Sequence, residues 1–198
     1  TCAPFEPLRC DTFITESTFG LPIYRWRPQA ELFDQINAWW RANQLAGKAS
    51  LLLAYALGKA QRLLAGVDPT IGPIFTHGAV ERLVAEYRAS GVALPATTYA
   101  AAGRAADWGQ ALILAPPSAL GTPWMRRFGS VSTGFASGWM QIRGTRRRKA
   151  VDRGFALSAH ADWPGLLGSI AATGAARVWV THGYSAVLAR WLGEQGLE

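Results

Sequence analysis

Residues 50–64 read SLLLAYALGKAQRLL. Ser50 to Tyr55 reads as a buried strand, with Leu51 to Ala54 apolar throughout, the signature of a strand covered on both faces. Leu57-Gly58-Lys59 turns the chain and opens a helix running to about Ala65. A buried strand passing directly into a helix is the repeating step of a parallel α/β sheet, and the step recurs in both directions. Upstream, Asp11 to Thr15 is a short apolar strand ending in Glu16-Ser-Thr-Phe-Gly. Pro28 then starts a helix with Leu32, Ile36, Trp39 and Trp40 on one face and Gly47 after its end. Downstream, Ile71 to Phe75 is a strand that Pro73 pushes toward a sheet edge. Val80, Leu83, Val84 and Tyr87 mark an amphipathic helix, and Ala111 to Ala115 is a strand stopped by Pro116-Pro117.

The last third reads as a helix over Ser118–Arg127, a Gly-rich strand region over Ser130–Ile142, a basic connection over Arg143–Arg153 and a strand at Phe155–Ser158. A helix follows, capped by Asp162, with Pro164 just inside it and Gly174 just past it. The chain closes with a strand at Arg177–Thr181 and a helix at Ser185–Glu194. The class is therefore α/β with mostly parallel strands. Composition shifts divide the chain into 1–24, a central lobe over 25–145, and 146–198.

The chain has 198 residues, 49% hydrophobic and 17% charged, which excludes disorder, collagen and coiled coil. Nine tryptophans place several rings in cores. The net charge of +7 is concentrated: residues 126–153 hold eight basic residues and the single acid Asp152, and the remainder is neutral. A neutral body with one basic segment suits a polyanion. Arg146, Arg147 and Arg148 are the densest part of it and the candidate phosphate contacts, although charge alone equally fits a solvated loop. Cys2 and Cys10 form no CxxC or zinc spacing, which points to a reducing, cytoplasmic compartment. No signal peptide is read, and the longest uncharged run, Trp108 to Met125, is interrupted by Pro116, Pro117 and Pro123. No membrane helix is expected.

Three strand ends deliver an ionisable residue: Glu16 after FIT, His160 after ALSA and His182 after VWVT. In open parallel sheets ligands bind beyond the carboxyl ends of the strands, so all three are expected on one edge. A carboxylate hydrogen-bonded to an imidazole fixes its tautomer and favours its charged form, making Glu16 and His160 a candidate acid pair. Gly183 lets His182 approach a metal or a phosphate. Lys59, beside Gly58 at a helix start, is a candidate phosphate contact. His77, ahead of Gly78, is read as turn or cap chemistry. A serine hydrolase using Ser158 and His160 is disfavoured, because no GxSxG elbow frames the serine.

TESTFG at 15–20, SAHADW at 158–163 and VTHGY at 180–184 resemble motifs A, B and C of the β-CASP nucleases, a branch of the metallo-β-lactamase fold. ALGKAQRLL at 56–64 and SGWM at 137–140 resemble elements of that branch's cap lobe. CAPFEPLRCDTFITESTFGLPIYRW at 2–26 is most similar to bacterial ligase-associated DNA exonucleases. The resemblance implies a β-CASP cap lobe inserted into an αββα metallo-β-lactamase fold only partly present here. It further implies a zinc-dependent phosphodiesterase, a DNA exonuclease of DNA repair, working alongside a DNA ligase and a helicase. By the same resemblance Glu16 holds His160, His160 protonates the leaving oxygen, and His182 ligates one of two zinc ions.

The family's HxHxDH metal motif is absent from these residues. The expectation is that it lies upstream of Thr1 and that the 198 residues alone are inactive. A histidine at motif C is usual in the RNA-processing branch, so an RNA-processing ribonuclease stays open. A non-catalytic nucleic-acid-binding relative stays open as well.

Overall fold

Leucines 51, 52 and 53 follow one another without a polar residue between them, and all three are buried. The computed structural model describes residues 5–101, 108–142, 144 and 149–198. They form a mixed α/β arrangement in which every strand pairing is parallel. The chain divides into two compact units, one of Arg27–Ser158 and one joining Cys2–Trp26 to Ala159–Glu198.

The strands are β1 (Thr12–Ser17), β2 (Ala49–Leu53), β3 (Ile74–Thr76), β4 (Thr98–Tyr99), β5 (Leu112–Ala115), β6 (Val131–Ala136), β7 (Arg153–Phe155) and β8 (Arg177–Gly183). The helices are α1 (Gln29–Leu45), α2 (Lys59–Gly66), α3 (Gly78–Ala89), α4 (Trp163–Thr173) and α5 (Ser185–Glu194). In the larger unit six strands run in the order β4-β3-β5-β2-β6-β7. Helices α1, α2 and α3 cover one face, where Ile36, Trp40, Leu63, Leu64, Val80 and Val84 meet Leu52, Leu112 and Leu114. Short 3-10 turns at Pro117–Ala119, Pro123–Phe128 and Gly138–Gln141 cover the other, packing Ala119, Phe128 and Met140 on Leu51, Leu53, Ile113 and Phe135. Burial on both faces is why β2 and β5 read as continuous apolar runs rather than alternating ones.

The smaller unit is a two-stranded parallel sheet, β1-β8, with α4 and α5 on one face. Phe13, Val178 and Val180 point into that core with Trp163, Leu166, Ile170 and Leu188. Ile14 and Trp179 are register partners on the opposite side, and each is 61% exposed.

Several sequence expectations are corrected. The strand expected at Phe155–Ser158 is β7, ends at Phe155 and pairs with β6, so it belongs to the larger sheet and not beside β1 and β8. A tight turn stops it, with Leu157 N donating to Phe155 O at 2.9 Å. By that pairing β7 falls within the compact unit Arg27–Ser158. The helix over Ser118–Arg127 is two 3-10 pieces, because Gly121 takes φ 75° between them and Pro123 restarts the chain. The strand region over Ser130–Ile142 stops at Ala136; Trp139 lies in a 3-10 turn in which Gly138 and Met140 are the buried residues. Pro73 does not put its strand at the edge: it precedes β3, its carbonyl accepts from Leu112 N at 3.0 Å, and β4 flanks the other side. The two-residue β4 was too short to carry a periodicity.

Gly66, the last residue of α2, illustrates how tightly α1 and α2 pack: a Cβ there would stand 2.0 Å from Phe33 Cζ. Alanine for glycine in a helix is normally worth about 1 kcal/mol of stability, but here Phe33 fills the space. Gly66→Ala is expected to destabilise by about 1–3 kcal/mol. Combined with Phe33→Leu, the loss should be smaller than the sum of the two single losses. Urea unfolding of the four proteins checks this, and a stabilised Gly66→Ala protein would contradict it.

Candidate functional site

β1 and β8 run side by side with Glu16 opposite Thr181, and the register slips between Glu16 and Ser17 so that Ser17 faces Gly183. The slip makes room for His182, which adopts φ 55°. A left-handed histidine is uncommon and is held by its surroundings. Ser17 Oγ donates a short hydrogen bond to His182 O. Ser17 O accepts from Gly20 N at 2.9 Å and from Tyr184 N at 2.9 Å. Gly183, at φ 70°, has no room for a side chain, since a Cβ would lie 2.3 Å from Ser17 O. The ends of the two strands are thus locked together with His182 exposed at the carboxyl edge.

His160 reaches this edge from the loop before α4 rather than from a strand. Its Nδ1 lies 3.3 Å from Glu16 Oε1. The other oxygen, Oε2, accepts from Thr18 N at 2.6 Å. Partial burial alone would raise the Glu16 pKa; the Thr18 hydrogen bonds and the charge of His160 outweigh it and hold the carboxyl below its usual range. The His160 loop is tied down from afar. Trp26 Nε1 donates to His160 O at 3.0 Å, and Trp26 N donates to Asp162 Oδ2 at 2.7 Å. Asp162 also caps α4 by accepting from Gly165 N at 3.0 Å. Phe19 stands edge-on to the imidazole with centroids 6.0 Å apart.

Direct contact therefore joins Glu16 to His160, and adjacency of strand ends brings in His182. His182 Nδ1 is engaged with Thr181 Oγ1 at 2.8 Å, leaving Nε2. One imidazole does not fit a zinc ion, which takes at least three protein ligands. Among the described residues no group of three or more His, Cys, Asp or Glu is placed to hold a metal.

Sequence reasoning missed Ser17, Thr18 and Trp26. Thr18, two residues past Glu16, follows the local spacing of a carboxylate that accepts from a nearby amide. Trp26 gives no signal, being 134 residues from His160.

The remaining candidates belong to the larger unit. Lys59 is only 8% exposed, with Nζ 4.6 Å from the centroid of the Tyr55 ring. Burial lowers its pKa. The first amides of α2 are taken: Gly58 N by Gln61 Oε1, Lys59 N by Leu57 O, Ala60 N by Tyr55 O. A phosphate there would meet the ammonium alone, not a cradle of backbone amides. His77 is the N-cap of α3, its Nδ1 accepting from Ala79 N at 3.1 Å. Arg146, Arg147 and Arg148 lie outside the described residues.

No protein-family model matches the chain. The chain is 31% identical over 195 residues to a protein of Opitutus terrae named "Probable DNA ligase". The match covers 98% of this chain and 19% of that protein. No helix among the described residues is long and apolar enough to cross a membrane.

Two outcomes follow from this geometry. Gly183→Ala combines a left-handed backbone with a collision against Ser17 and is expected to cost about 2–5 kcal/mol. Gly47→Ala, at φ 63° with nothing within 4 Å, should lose only the conformational part, about 1–2 kcal/mol. Equal urea midpoints for the two variants would rule out the packing argument. His77 is held below its usual value near 6.5 by burial and by the charges of Arg127 and Arg82. The unfolded chain then takes the proton first, so the contribution of His77 is complete above about pH 6.5 and is lost as pH falls through the folded pKa. His77→Asn keeps a capping side chain without a titrating one. Its urea midpoint should decline less between about pH 7 and 5 than that of the parent.

Proposed function

We propose that this chain is part of a nucleic-acid phosphodiesterase of the β-CASP branch of the metallo-β-lactamase fold, acting on DNA. The observation that carries the reading is the Glu16–His160 contact of 3.3 Å at the carboxyl edge of β1. In the doubly protonated ring, Nδ1–H points at Glu16 and Nε2–H is the proton donor. As the P–O bond breaks, Nε2 delivers its proton to the leaving oxygen and the ring returns to neutral with Nδ1–H retained. Trp26 and Asp162 hold the loop so that the ring does not have to be ordered during the reaction.

The name of the Opitutus protein, a probable DNA ligase, supports DNA as the substrate. The chain spans about a fifth of that protein's length, so the activity proposed is that of the whole molecule. The two zinc ions that the family resemblance calls for need more donors than His182, and the proposed chemistry of His160 takes no step through them. A second reading, a non-catalytic nucleic-acid-binding relative, draws on that same donor set. His182 at motif C keeps RNA as the alternative substrate.

The full-length protein tests these readings. His160→Ala is expected to lower turnover on single-stranded DNA by roughly 100- to 10,000-fold while changing substrate affinity little. Glu16→Gln should reproduce part of that loss, because an amide does not balance the imidazolium charge. Turnover unaffected by His160→Ala would remove the general-acid role. A parent protein that binds DNA without cleaving it would favour the binding relative.

A further inference from the structure

The carboxyl edge of the six-stranded sheet carries a second feature that the acid pair does not use. Beyond the ends of β3 and β4 lies an open cavity of about 460 Å³ lined by His77, Gly78, Ala79, Glu81, Arg82 and Tyr99. That volume falls within the range of small-ligand sites. The Tyr99 ring lies over Gly78, where a Cβ would come within 3.2 Å of it, yet the residue is 43% exposed. One aromatic face is therefore left to the cavity.

The charges around the cavity are unbalanced. Its one carboxylate, Glu81, is turned to its own neighbours: it accepts from Thr76 and Thr97 and lies 4.0 Å from Arg88. Arg82 makes no ion pair or side-chain hydrogen bond recorded among the described residues, and neither does Arg127. Both guanidinium groups are near enough to His77 to disfavour its protonation. The His77 ring also stands edge-on to Trp124 at 4.8 Å, and Arg127 lies 5.9 Å from the centroid of the Trp124 ring. Three of the first-turn amides of α3 are already taken, Ala79 N by His77 Nδ1 and Val80 N and Glu81 N by His77 O. What surrounds His77 is two aromatic rings and two cations, Tyr99 and Arg82 in the cavity lining and Trp124 with Arg127. Stacking faces alternating with backbone-seeking cations are the elements of a single-strand nucleic-acid track.

We propose that this cleft seats one unpaired nucleotide of a nucleic-acid strand, its base on Tyr99 and its phosphate on Arg82, with the strand continuing past His77 toward Trp124 and Arg127. The proposal rests on the nucleic-acid reading above and adds a binding subsite to it, separate from the Glu16–His160 pair. The ring and the guanidinium act on different parts of the ligand, so their removal has different signatures. Loss of a stacking face costs about 5- to 100-fold in affinity and is insensitive to salt. Loss of a phosphate contact lowers the slope of log K against log salt by about one unit.

The test is fluorescence anisotropy of the 198-residue chain with labelled oligothymidylate and oligouridylate of about twelve nucleotides. Tyr99→Ala is expected to weaken binding by about 5- to 100-fold and Tyr99→Phe to restore it. Arg82→Gln, on an exposed helix position, is expected to weaken binding and flatten the salt slope. Both effects with the two oligonucleotides alike would support the track for either nucleic acid, and with one alone would name the strand. Parent-like affinity and salt slope in both Tyr99→Ala and Arg82→Gln, with the parent binding well, would overturn the cleft and leave the phosphodiesterase reading standing. A parent chain that binds neither oligonucleotide would overturn the cleft, whereas the phosphodiesterase reading, which concerns the whole molecule, is decided by the turnover of its His160→Ala variant. Thymidine monophosphate bound as tightly as the oligonucleotide would overturn the continuation toward Trp124.

Discussion

Ser17 is the constraint on which the acid pair depends. It is fully buried, and its three polar contacts bind the turn after β1 to the turn after β8: the hydroxyl reaches His182 O, and the carbonyl takes both Gly20 N and Tyr184 N. A two-stranded parallel sheet has little intrinsic stability, so the position of its ends must come from contacts of this kind and from α4 and α5 beneath. Because Ser17 occupies the bulge, Glu16 stays on the strand with its carboxylate toward the edge while His182 is forced into a left-handed conformation. The close approach of Gly183 to the Ser17 carbonyl, 2.3 Å from where a Cβ would stand, excludes a side chain there.

The acid pair then follows from two independent supports. Thr18 amide and hydroxyl hold Glu16 ionised from one side, and Trp26 holds the His160 backbone from the other. Neither support is itself reactive. They place a carboxylate and an imidazole at a distance where a charge on one is stabilised by the other, in a setting still open enough to admit a ligand. The larger unit follows a different logic. All six of its strands are parallel, so every turn into a following element leaves from the same edge. Tyr55, Lys59, His77 and Tyr99 collect there for that reason alone.

Much of this was legible in the order of residues. The buried strands β2 and β5 announce themselves as runs of leucine and isoleucine, and α5 was read with the bounds it has in the structure. Asp162, Pro164 and Gly174 mark the start and stop of α4, because capping is a local matter of hydrogen-bond acceptors and permitted dihedrals. The roles of Glu16, His160 and His182 as candidates were also legible, since a polar residue at the end of an apolar strand has few structural reasons to be there. The 3-10 turns over 117–128 were not, because proline and glycine break the helical repeat that the apolar spacing suggests.

Partnership between strands was beyond the reach of local reading. The segment before His160 looks like β1 and β8, an apolar strand ending in a polar residue, yet it pairs with β6. Strand character is set by a few neighbouring side chains, whereas pairing is set by which distant backbone offers its amides and which core has space. For the same reason Trp26 could not be connected with His160, nor Tyr99 with Gly78. The amino-acid order determined the α/β class, most of its elements and the chemical types at their ends. Only the tertiary structure decided which ends meet, because the backbone bulge at Ser17, the turn after Phe155 and the hydrogen bonds of Trp26 each join residues that are remote along the chain.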